Sequence, residues 1–153
     1  MMATMKSSAI KPTQLKSWLR LTIYLLMVVL LITGVLWMSI HFFQWPDAAA
    51  PLMEGLPSPW EAPLMKIHGA AMLLMIFILG RLSGTHVLLF WRMRRRRKEG
   101  AILLAAFGIL ALSAYLFYYW IPEDWRDYLG WAHGAMGALT ALLLAWHRRA
   151  VAQ

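Results

Sequence analysis

Five histidines, His41, His68, His86, His133 and His147, carry most of the chemistry that this sequence offers. They fall within or at the ends of long apolar stretches, where an ionisable side chain is costly and its default reading is functional. His68 and His86 are 18 residues apart, five turns of a helix, so they share one face about 27 Å apart. His133 and His147 are 14 residues apart, within about 40° of one face and about 21 Å apart. Imidazoles stacked in this way on two helices can hold two stacked haems, each iron taking one ligand from each helix. Flat macrocycles need small residues beside them, and Gly69, Gly80, Gly84, Gly134 and Gly137 supply that room. The same glycines also suit close packing between membrane helices. The chain has no Cys, which excludes disulfides, thiolate-ligated iron–sulfur clusters and covalently attached c-type haem.

Three further residues are candidates for the same chemistry. His41 lies at a depth similar to His68 and is open to three roles: replacing an outer ligand, bonding a haem propionate, or relaying protons at a quinol site. Arg81 is the charge deepest inside an apolar run; it either pairs with a propionate or quinone oxygen or snorkels to the inner headgroups. Lys66, two residues from His68, can meet an outer propionate or serve as an interface anchor. Met65 and Met136 are alternative iron ligands. A copper or zinc site built from the outer histidines is a competing use of the same donors.

Four apolar runs must position these groups. Leu21 to Trp45 and Ala101 to Pro122 carry no charge, nor does Tyr128 to His147; the run from Pro63 to Trp91 contains only Lys66 and Arg81. Each reaches the roughly 20 residues that a helix needs to cross a hydrocarbon core of about 30 Å. The 153-residue chain is 61% hydrophobic and 14% charged, too apolar for a water-soluble domain of this size. None of the runs alternates with a strand period, which leaves helices. The expectation is an all-α integral membrane four-helix bundle with helices at about 18–45, 64–91, 101–121 and 128–147. Residues 1–17 precede a transmembrane domain spanning 18–149, with no room for a soluble catalytic unit. The first run is far longer than the roughly 7–15 residues of a signal-peptide core, so it reads as a retained helix.

The charges orient the bundle. Lys6, Lys11, Lys16 and Arg20 precede helix 1; Arg92, Arg94, Arg95, Arg96, Arg97 and Lys98 separate helices 2 and 3; Arg148 and Arg149 follow helix 4. Asp47, Glu54, Glu61, Glu123, Asp124 and Asp127 fall in the other two connections. Twelve of the fifteen basic residues thus lie on one side and six of the seven acids on the other, which makes the basic side cytoplasmic, N-in and C-in. The net charge of +8 is then a topology signal and headgroup anchor, and nucleic acid is not an expected partner. Trp residues cluster near the run ends, as an interfacial aromatic belt requires.

A weak internal repeat suggests two helical hairpins related by an axis along the membrane normal. Gly34-Val35-Leu36, Ser39, His41 and Phe43 align with Gly108-Ile109-Leu110, Ser113, Tyr115 and Phe117, and His68-Gly69-Ala70 aligns with His133-Gly134-Ala135. Such an axis brings His68 and His133 towards each other.

On these residues the chain resembles the four-helix membrane b-type cytochromes: bacterial cytochrome b561 and the cytochrome b subunits of hydrogenases and formate dehydrogenases. It is also similar to a group of short membrane proteins known only as a domain of unknown function. The resemblance covers the transmembrane region. His133 and His147 match the family's two ligands fourteen residues apart on helix 4, and His68 matches its ligand near the outer end of helix 2. The family draws its fourth ligand from the start of helix 1, where this chain reads Leu15-Lys16-Ser17-Trp18-Leu19-Arg20 without a His; His86 is the candidate substitute. The resemblance implies one or two b haems and electron transfer between quinone and a redox partner, within the bacterial cytoplasmic (inner) membrane. An electron-transfer protein or oxidoreductase subunit fits better than a stand-alone enzyme. The alternatives are a non-catalytic anchor or assembly subunit of a larger complex and a metal-binding membrane protein.

Overall fold

Each of the four apolar runs contains a helix. The computed structural model describes residues 16–43, 58–84 and 97–152. They form α1 (Ser17–Phe43), α2 (Glu61–Leu82), α3 (Arg97–Tyr119) and α4 (Glu123–Ala152). The shortest, α2, has 22 residues, about 33 Å at 1.5 Å per residue. Each helix is long and apolar enough to cross a membrane. The chain is an all-α, multi-pass membrane protein.

Several helices start before the charge-free runs begin. In α4, Glu123 and Asp124 occupy the first turn, where the partial positive charge of a helix N-terminus favours acids. The Trp125 N–H also bonds the Pro122 carbonyl, at 3.1 Å. In α2, Pro63 sits in the first turn, where its missing N–H costs nothing. The Glu61 carboxylate accepts the Ser58 N–H at 3.3 Å, which ties the first residue of α2 to the segment before it.

α1 packs most extensively on α2, and α3 on α4; narrower contacts of α1 with α4 and of α2 with α3 close the ring. The link from α3 to α4 is only Trp120, Ile121 and Pro122, which forces those two helices antiparallel. The buried cluster joins Ile23, Met27 and Leu30 of α1, Ala71 and Met75 of α2, and Phe107 of α3. On α1 the buried stripe runs Ile23, Met27, Leu30, Thr33, the spacing of one helix face. The outer surface is apolar all round: Leu25, Ile32, Leu73, Phe77, Leu112 and Leu142 are all exposed. Water would not tolerate so continuous an apolar surface, but lipid tails solvate it. Exposed Trp60, Trp120, Trp125 and Trp131 lie at one end of the bundle and Trp18 and Trp146 at the other, as an aromatic belt requires.

Candidate functional site

In each helix the inward stripe ends, towards the α3–α4 turn, in a polar side chain. On α1 it is Thr33, 5% exposed; on α3, Ser113 follows buried Phe107 and Leu110 at three-residue steps. On α2, His68 precedes buried Ala71 and Met75, and on α4, His133 precedes buried Thr140 by two turns. Packing the four stripes together brings these residues into one layer.

The two imidazoles meet there. Their ring centres are 6.3 Å apart with planes inclined at 57°, and both residues are half-buried. His68 Nδ1 lies 3.0 Å from Thr33 Oγ1. His133 Nδ1 lies 2.7 Å from Ser113 Oγ. Each hairpin is thus self-contained, α1 supplying a hydroxyl to the imidazole of α2 and α3 to that of α4. Gly34 backs the His68 ring: a Cβ there would be 3.5 Å from Cε1 and 3.8 Å from Nδ1. Phe117 meets the His133 ring edge to face, with centres 5.6 Å apart.

The other candidates lie elsewhere. His41 stacks on Trp37 with centres 4.4 Å apart and faces Glu61 and Asp127, outside the His68–His133 pair. Lys66 is exposed and lines an outer cavity of about 310 Å³ with Trp37, Glu61, Met65 and Tyr118. Arg81 is exposed near the opposite end of α2. His147 Nδ1 lies 3.6 Å from Glu99 Oε2, and both residues line a second cavity of about 310 Å³ with Ile102, Leu143 and Trp146. His86 lies outside the described residues. Among the described residues no three of His, Cys, Asp or Glu converge as a metal-holding group; the outer imidazoles are a pair.

The glycines divide. A Cβ on Gly69, Gly80, Gly84 or Gly137 would meet nothing within 4 Å. The notch at Gly134, by contrast, holds the Met38 side chain: a Cβ there would come within 2.6 Å of Met38 Sδ. The room at Gly134 is therefore filled by a thioether from α1.

Sequence reasoning missed Thr33, Ser113 and Met38. For Thr33 a signal existed, a single hydroxyl on an otherwise apolar stripe. In the sequence Ser113 stands only as the repeat partner of Ser39; in the structure the residue doing the equivalent task on α1 is Thr33, six positions earlier. Comparison with protein families, curated proteins and solved structures finds no match for this chain.

Proposed function

We propose that the chain is a membrane b-type cytochrome whose outer haem is held by His68 and His133. The observation that carries this reading is the spacing of the two rings. Metal–imidazole bonds of about 2.0–2.1 Å, with roughly 1.2 Å from nitrogen to ring centre, put two rings on opposite sides of one ion with centres roughly 6.4 Å apart. The rings of His68 and His133 are 6.3 Å apart. Two imidazoles on facing helices, with no acidic side chain bonded to either among the described residues, are the donor set of a low-spin b haem.

When bound, the haem supplies reversible one-electron transfer. The chain holds two imidazoles at fixed separation on packed helices, which keeps the reorganisation on electron transfer small, and keeps water away with half-buried rings and an apolar wall. Its basic termini and Arg-rich 92–98 connection favour the N-in, C-in orientation in a bacterial cytoplasmic membrane. The pair then lies towards the outer face, suited to electron exchange between quinone and a redox protein or a partner subunit. His147 faces Glu99, which favours one haem over two.

A pyridine haemochrome assay on protein purified after expression with ample haem tests the reading. One b haem per chain is expected, and His68→Ala and His133→Ala should each abolish it. Wild-type protein without a Soret band would overturn the proposal.

A further inference from the structure

The two hydroxyls beside the imidazoles each have a second partner, and that partner decides where the ring protons sit. Thr33 Oγ1 lies 2.7 Å from the Val29 carbonyl oxygen. Ser113 Oγ lies 2.9 Å from the Leu110 carbonyl oxygen. Oxygens this close share a hydrogen, and a carbonyl has none to give. The single hydroxyl hydrogen therefore points along the helix, and towards the imidazole the hydroxyl oxygen acts as acceptor. A ring nitrogen at 3.0 Å (His68) or 2.7 Å (His133) from that oxygen must then be the donor. Nδ1 carries the proton in both rings, and the lone pair is left on Nε2.

We infer that Thr33 and Ser113 are positioning residues that hold His68 and His133 in the Nδ1–H tautomer, presenting both Nε2 lone pairs as ligands. This rests on the haem reading only for the identity of what is bound. A buried imidazole needs some partner in any case, but simple satisfaction could use either nitrogen and any acceptor. Here two helices use the same atom of the ring, the same type of acceptor, and a hydroxyl whose own hydrogen is committed to its helix. A ligand imidazole whose second N–H is bonded in this way has a fixed ring orientation and raised basicity.

The test is ¹⁵N NMR of imidazole-labelled, haem-free full chain in nanodiscs, followed by haem titration. Wild-type His68 and His133 should both show protonated Nδ1 and bare Nε2. Thr33→Val should give a mixed tautomer population at His68 alone and Ser113→Ala at His133 alone, with Thr33→Ser restoring the wild-type signal. Haem affinity should fall about 10–100-fold in Thr33→Val and Ser113→Ala, and the midpoint potential of what binds should rise as the ligand becomes less basic. Wild-type rings protonated at Nε2, or tautomers unchanged in both variants, would overturn the inference. The expected tautomers in a wild-type chain that takes up no haem would support the inference while sinking the cytochrome reading.

Discussion

His41 Nδ1 lies 3.0 Å from Glu61 Oε2, so an imidazole near the end of α1 is tied to the first turn of α2. Its Nε2 is 3.6 Å from Asp127 Oδ1 on α4, and one side chain thus links the outer ends of three helices. Because both ring nitrogens face carboxylates, His41 links α1 to α2 and α4. His41→Ala should leave haem content unchanged and lower stability by about 0.5–1.5 kcal/mol, as for a typical hydrogen bond. Glu61→Ala should cost more, on the order of 1–2 kcal/mol, because the same carboxylate also accepts the Ser58 N–H. Equilibrium unfolding in mixed micelles measures both; loss of the Soret band in His41→Ala would show that His41 is a ligand after all.

Met38 and Gly134 form a knob and notch between α1 and α4. Gly134→Ala would drive a Cβ to 2.6 Å from the Met38 sulfur, and overpacking of this kind costs about 1–3 kcal/mol. The Met side chain is flexible, so the lower end is expected. Shortening it in the Met38→Ala, Gly134→Ala double variant should recover part of the loss, a coupling that a double-mutant cycle reads directly. Gly34→Ala is the control: its Cβ would make ordinary contact with His68, and the helix should gain up to about 1 kcal/mol. Additive effects of the Met38 and Gly134 changes would rule out the notch.

His147 is not expected to bear on the outer centre. It lies two helical turns beyond Thr140 on α4, beside Glu99 and the inner cavity, about 21 Å along the helix from His133. His147→Ala should leave the haem-to-protein ratio and the outer haem's spectrum at wild-type values, whereas His68→Ala and His133→Ala should remove the haem. A fall from two haems to one in His147→Ala would place a second haem at the inner end.

The number of helices and the places of their apolar spans were legible because hydropathy adds along a continuous stretch. Leu21 to Trp45 or Ala101 to Pro122 needs no partner to be read as long enough for a membrane. The approach of His68 to His133 was legible too, in their shared Gly-Ala neighbours and positions near the same end of their helices. The helix starts were less legible, since Glu123, Asp124 and Arg97 are charged yet helical. Caps and the helix dipole, not hydropathy, decide those ends.

By itself the sequence determined four apolar helices, an asymmetric distribution of charge between their connections, and histidines near one end of both helix 2 and helix 4. Each follows from a local property, the 3.6-residue period or the sum of residue polarities over about 20 positions. Only the tertiary structure decided that Thr33, not Ser39, meets His68, that Ser113 meets His133, and that Met38 fills the notch at Gly134. It likewise turned His41 towards Glu61 and Asp127 and set His147 beside Glu99. The physical reason is that the relative rotation and depth of two helices depend on how side chains far apart in the chain interdigitate. A shift of one residue turns a helix face by about 100°, enough to separate an imidazole from its hydroxyl. What binds between His68 and His133 is therefore governed by the packing of α1 on α2 and α3 on α4 as much as by the two histidines themselves.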